Sequence, residues 1–261
     1  MMQHRIVVAL QLVVFLVAGV LTRAAGEPAG ERAHTINSRV PFVGCKSDGQ
    51  TGPVAAPRGV AKLLPISAAE ASALAFYCTG GPSGVLAPRG WYCFGTYGSS
   101  GSTLIVAPQT LKADDLFAPS WRGNTGPSVQ VSFSSGETSG RFDVARVIAR
   151  VFPAHKAFVE GIIKDGMGSA SDFPFGPYPN DKLISKGARI VEFQTPPHSE
   201  GLGTTLSLKA NAYPISGVAI LQGEGPDLVM LRLRLPPETN NLAATIIREV
   251  ERENAVSLSH R

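Results

Sequence analysis

Three rhythms of apolar and polar residues run along this chain. The first is a run from Ile6 to Leu21 that is apolar but for Gln11, behind a polar start with Arg5 and ahead of Thr22-Arg23-Ala24-Ala25-Gly26. It is shorter than the roughly 20 residues a bilayer-spanning helix needs, and small residues follow at the spacing a signal peptidase reads. The pattern therefore predicts a secretory leader over 1–26. The second rhythm is alternation, the mark of a strand with one face covered. Val129, Val131 and Phe133 alternate with Gln130, Ser132 and Ser134, and Val229, Leu231, Leu233 and Leu235 alternate with Met230, Arg232 and Arg234. Further strands are expected over 40–43, 91–97, 103–107, 190–193, 205–208 and 217–221, with Gly223-Glu224-Gly225-Pro226-Asp227 turning a hairpin into the strand over 228–235. The third rhythm is helical. Ser67 and Glu70 form a capping box ahead of the stripe Ala71, Leu74, Ala75, Cys78, which makes Cys78 the end of a helix and a small buried hydrophobe. Asp143 is the expected cap of a helix carrying Val144, Val147, Ile148 and Val151; Pro153 kinks or restarts it, and Phe158, Val159, Ile162 and Ile163 continue the face. A closing helix over 241–253 turns Leu242, Ile246 and Val250 inward.

Between these elements lie strong breakers. Gly80-Gly81-Pro82 stops the first helix, and Pro88-Arg89-Gly90 and the 98–102 tip join short strands into an expected β-meander. The Pro- and aromatic-rich stretch over 166–180 reads as a linker, a lid or a surface loop. Strands outnumber helices and arrive as hairpins, so the fold class is α+β: a mainly antiparallel sheet with a few helices packed on one face. The expected organisation is one exported domain over 27–261, with 166–180 as the point where it would subdivide. No period of 20 to 50 residues argues for a solenoid or propeller.

Charge narrows the partners. The formal charge of +4 includes Arg5 and Arg23 of the leader, and the remainder is too balanced to point to nucleic acid. Arg232 and Arg234, on alternate positions of a strand, read as a solvated sheet face. No second apolar run of membrane length follows the leader, so no membrane span is expected after cleavage, and the expected address is the periplasm or the medium. Three cysteines in an oxidising compartment imply one bridge and one spare thiol, with three pairings open among Cys45, Cys78 and Cys93. Cys45 ends one extended segment and Cys93 lies inside another, so context ranks Cys45–Cys93 first.

Candidate chemistry is sparse. Gly98-Ser99-Ser100-Gly101 and Gly166-Met167-Gly168-Ser169 approach a nucleophile elbow, but at a hairpin tip and in a loop, where the chemistry lacks its strand-to-helix turn. His155 and His198 are available bases for a cysteine nucleophile, which oxidation would consume. His34, His155, His198 and His260 fall in separate segments, so no metal site and no cofactor is expected, and His198 with Glu200 is the one close polar couple. Lys46-Ser47-Asp48-Gly49-Gln50 is half a calcium loop and reads better as an Asp-Gly turn. Trp91 and Tyr97 share one face of their strand, Tyr92 and Phe94 the other, and one face is a candidate contact patch.

The segments Val43-Gly44-Cys45 with Ser47-Asp48-Gly49-Gln50, then Gly84-Val85-Leu86-Ala87-Pro88-Arg89-Gly90-Trp91-x-Cys93-Phe94-Gly95-x-Tyr97-Gly98-Ser99, and then Ser199-Glu200-Gly201-Leu202-Gly203, resemble a group of exported bacterial proteins of unassigned function. The resemblance covers most of the chain beyond the leader. It implies a bacterial envelope or secreted protein, supplies no mechanism, and favours the Cys45–Cys93 pairing, because both cysteines lie in the matching segments. Two functional classes follow. One is a non-catalytic envelope or secreted protein that binds a macromolecular partner or a ligand, with Asp48, Trp91, Tyr97, His198 and Glu200 as candidate contact residues. The other is an envelope or secreted hydrolase with dispersed catalytic residues, of which His198, Glu200 and Asp48 are the first choices.

Overall fold

The alternation along the penultimate element puts Val229, Leu231 and Leu233 on one side of a strand and Leu228 and Met230 on the other, and all five are buried. A strand that is apolar on both sides needs cover on both, and this requirement organises the molecule. The computed structural model describes residues 37–81 and 84–259, with side chains as far as 255. The predicted leader, His34, Pro82 and His260 lie outside the described residues.

The strands are β1 (Ser38–Val40), β2 (Phe42–Gly44), β3 (Lys46–Gly49), β4 (Lys62–Leu64), β5 (Leu74–Cys78), β6 (Gly84–Pro88), β7 (Tyr92–Gly98), β8 (Gly101–Ala107), β9 (Ser128–Ser134), β10 (Lys182–Ser185), β11 (Ile190–Thr195), β12 (Ile215–Gln222) and β13 (Asp227–Arg234). The helices are α1 (Ala68–Ala73), α2 (Ala113–Leu116), α3 (Arg141–Val151), α4 (Lys156–Lys164) and α5 (Ala243–Ser259). An eight-stranded sheet runs in the order β10-β11-β12-β13-β9-β8-β7-β3, antiparallel throughout except for the parallel pair β3–β7. A second sheet, β2-β5-β6, and the short pair β1–β4 complete the strands. The α+β class and the mainly antiparallel sheet hold.

The layering differs from the expectation of helices on one face. On one face of the large sheet, α5 and the small sheet bury Val131, Val218, Ile220 and Leu231 with Leu74, Leu86, Ile246 and Val250. On the other, α3 and α4 bury Val144, Ile148, Val159 and Ile162 against Val191, Phe193, Leu221 and Met230. Helices thus flank both faces, because β12 and β13 are apolar on both.

The Ser67–Glu70 capping box forms as expected, with the Glu70 amide donating to Ser67 Oγ at 3.2 Å and the Ser67 amide to the Glu70 carboxylate at 2.8 Å. The helix stops at Ala73, however, and Cys78 ends strand β5. Leu74, Ala75, Phe76 and Tyr77 are all buried in the middle of a three-stranded sheet. An apolar run flanked by two strands gains more from that cover than from one more helical turn. Cys78 is half-buried. The expected meander is also redrawn: β6 pairs with β5 in the small sheet, and the chain crosses at Arg89–Trp91 so that β7, β8 and β9 are the consecutive neighbours. Asp143 lies in the first turn of α3 rather than capping it; Gly140 is the cap, and Asp143 pairs with Arg146 at 2.7 Å. Segment 205–208 makes only a single bridge from Leu208 to Asn124, while Lys182–Ser185, too polar to stand out, forms an edge strand.

Cys45 and Cys93 are disulfide-bonded, with Cα atoms 5.5 Å apart. The bond joins the chain between β2 and β3 to β7, tying the small sheet's edge to the large sheet. Gly101, at φ 144° and with an added Cβ meeting the Phe133 carbonyl oxygen at 1.9 Å, lets β8 start against β9, which a larger residue would block.

Candidate functional site

Gln130, Ser132 and Ser134 alternate with apolar residues on β9, and in register beside them stand Thr103 on β8 and Thr96 on β7. This polar side of the strands shares a sheet face with Met230 and Arg232 of β13. Helices α3 and α4 pack apolar side chains on that face only against β11–β13, although α3 also passes beside β9. Where the cover ends, a cavity of about 700 Å³ opens between α3, the β8-β9-β13 floor and the 201–207 loop.

The loop wall is held by short-range chemistry. Asp181 accepts from Thr195 Oγ1 at 2.7 Å and from the Leu202 amide at 2.8 Å, while the Gly203 amide donates to Thr195 Oγ1 at 2.9 Å. Gly201 packs so close that an added Cβ would sit 2.1 Å from the Asp181 carboxylate. Ser207 then stitches the loop to the floor: its hydroxyl donates to Gln130 Oε1 at 2.9 Å, and Gln130 Nε2 donates back to the Ser207 carbonyl at 3.2 Å. Both hands of a buried amide are thereby occupied, which fixes the wall relative to the sheet.

Three guanidinium groups converge on the cavity, Arg146 and Arg150 from α3 and Arg232 from β13, with Asp143 the one acidic group in its lining. Asp143 is engaged by Arg146. Arg150 lies over the Tyr178 ring, 4.1 Å from its centroid, and donates to the Gly176 carbonyl at 3.2 Å. Arg232 donates through Nε to the Leu202 carbonyl at 2.8 Å, and among the described residues its Nη atoms have no hydrogen-bond partner. Burial pushes this group down to about 10, with Asp143 and Tyr178 acting weakly the other way, so it remains charged at neutral pH. A half-buried guanidinium that lines a cavity without a carboxylate partner can receive an anion, whose two oxygens match its fork.

The neighbouring Arg234 shows the opposite case. It is 1% exposed, and its guanidinium donates to the carbonyls of Gly126 (2.9 and 2.6 Å), Lys209 (2.6 Å) and Asn124 (3.1 Å), so its donors are spent on backbone and not offered to a ligand. The expectation of a solvated sheet face fails for both arginines: one is locked into loop backbone and the other floors a cleft, because the loops around 124–126 and 202–209 fold over this face of β13.

The residues singled out from sequence are scattered relative to this cleft. Cys45 and Cys93 form the bridge. Asp48 sits half-buried on β3 and accepts from the Gly49 amide at 2.7 Å, a local turn contact. Trp91 packs half-buried against the core of the small sheet, Phe94 is buried, and Tyr92 is exposed. The Tyr97 hydroxyl donates to the Gly52 carbonyl and shares a 2.8 Å hydrogen bond with Thr51, pinning the turn after β3. His198 is exposed at φ 56°, its amide donating to the Asn211 carbonyl at 2.7 Å, and Glu200 accepts from Thr204 Oγ1 at 2.7 Å. No hydrogen bond or ion pair among the described residues joins His198 to Glu200. Five strands separate β3, which carries Asp48, from β11, which leads to them. Among the described residues no group of three His, Cys, Asp or Glu side chains is arranged to hold a metal ion. The cleft residues Arg146, Arg150, Arg232, Gln130 and Tyr178 were missed. The legible signal was an arginine in an otherwise apolar strand beside a strand alternating with Ser and Gln.

Comparison with protein-family models, with curated proteins and with solved structures finds no match to this chain.

Proposed function

We propose that this chain is an exported bacterial protein of the periplasm or medium that binds, without transforming, a small carboxylate- or phosphate-bearing ligand in the cleft between α3, β9, β13 and the 201–207 loop. The observation that carries the reading is Arg232, which lines a cavity of about 700 Å³ and whose Nη atoms have no protein acceptor among the described residues. Arg146 and Arg150 add positive charge at the wall, and a single paired aspartate opposes them. A hydrolase would need a nucleophile or water beside a free base; the cleft's charged groups are arginines and a carboxylate already engaged by one. Export is supported by the leader-like start and by the disulfide, which persists in oxidising compartments, and among the described residues no helix is long and apolar enough to cross a membrane.

The test is isothermal titration calorimetry with inorganic phosphate, succinate and galacturonate, and with galactose as the neutral control. An anion is expected to bind, weakening with salt, and Arg232→Gln is expected to lower its affinity by about tenfold or more with the fold intact. Equal binding of galactose and galacturonate, no binding of any anion, or undiminished binding by Arg232→Gln would overturn the proposal.

A further inference from the structure

The cleft does not end at α3. A second cavity, of about 370 Å³, continues past it over β7 and β8 to the hairpin tips, and shares Thr103, Ser134 and Asp143 with the first. The two make a groove that crosses β13, β9, β8 and β7, three interstrand steps or about 14 Å. Its floor carries the hydroxyls of Thr96, Thr103, Ser132 and Ser134, none of which has a side-chain hydrogen-bond partner among the described residues; since no buried side-chain nitrogen or oxygen there lacks a partner, these four are open to the groove. At the far end Phe117, 55% exposed, offers an aromatic face, and at the near end stand the arginines.

We infer that the groove binds an acidic oligosaccharide, one carboxylate on Arg232 and the following sugar rings laid across the hydroxyl row toward Phe117. This inference rests on the anion-binding reading of the cleft and names its ligand class. Free hydroxyls and an aromatic plane are what a polyhydroxylated chain uses, since each sugar hydroxyl both donates and accepts and each ring has an apolar face. An extended peptide is disfavoured by geometry. It recognises a sheet through the unpaired backbone groups of an edge strand, whereas this groove crosses the strands on the sheet's face, where the backbone is already paired.

The experiment titrates the whole protein with galacturonate, with an unesterified oligogalacturonate, with its methyl-esterified counterpart and with an acidic peptide of alternating Glu and Ala. The expected result is that the acidic oligomer binds about tenfold or more tighter than the monomer and the esterified oligomer binds poorly. The double substitution Thr96→Val with Phe117→Ala, confined to the second cavity, is expected to remove about fivefold to tenfold from oligomer binding while leaving monomer binding unchanged, and that unchanged monomer affinity also reports an intact fold. Monomer and oligomer binding alike, an undiminished oligomer affinity in the double variant, or tighter binding of the peptide would overturn the inference while leaving the anion site standing. Failure of every anion would overturn both readings together.

Discussion

Replacing Arg234 by Met removes the donor that holds the loops before β9 and before β12 against the sheet. The side chain is 1% exposed and its five-atom fork serves three carbonyl oxygens. The Asn124 carbonyl keeps the Lys209 amide as a second partner, at 2.9 Å. The Gly126 and Lys209 carbonyls keep none among the described residues. Stranding two buried carbonyls costs about 1–3 kcal/mol each, and Met recovers some packing, so the net loss is about 3–5 kcal/mol. For a domain of this size that lowers the melting temperature by about 10 °C. Arg234→Lys keeps the charge without the fork and is expected to fall between. Arg232→Met is the control: it gives up one hydrogen bond to Leu202 and the desolvation of an uncompensated charge, so it is expected to melt within about 3 °C of the parent. Calorimetric or circular-dichroism melts of the three oxidised variants give the answer. If Arg234→Met melts with the parent, or Arg232→Met falls as far as Arg234→Met, the division of the two arginines into a structural and a ligand-facing group is refuted.

Two further outcomes are expected. Reduction of Cys45–Cys93, which closes a separation of 48 residues, is expected to cost about 4 kcal/mol in the chain-entropy treatment, read as a lower urea midpoint under reducing conditions; alkylation of the unreduced protein should label Cys78 alone. The Glu70 carboxyl is held below its usual 4.5 by hydrogen bonds from Thr245 and Ser67, with Arg248 adding a smaller pull. Because the folded value is the lower one, this contribution is present in full above about pH 4.5 and drains as pH falls through the folded value, so Glu70→Gln should flatten the decline of the urea midpoint below about pH 5.

Much of the candidate site was unreadable from the chain for one reason: the four elements that build it are far apart in sequence. Gln130, Arg146, Arg232 and Ser207 each look ordinary in their own segment. Alternation could say that Ser132 and Gln130 share a side of their strand, but not that the cover over that side stops at β13 and leaves them at the floor of a cleft. The same limit misplaced Arg234, whose acceptors come from loops 108 and 25 residues upstream in the chain.

What the sequence determined by itself was whatever depends on near neighbours and on cysteine context. The Ser67–Glu70 box, the inward stripes of α3 and α5, the 223–227 hairpin and the alternation of β9 and β13 all follow from spacing over a few residues, and the context of two extended segments ranked Cys45–Cys93 first among three pairings, which the structure bears out. Tertiary structure decided the rest. It turned Leu74–Cys78 from helix to strand because two strands were there to bury it, put helices on both faces because β12 and β13 are apolar on both, and made one arginine a brace while leaving its neighbour in the lining of a cleft. Those outcomes depend on which surfaces are brought together, and burial, unlike propensity, is a property of the assembled chain.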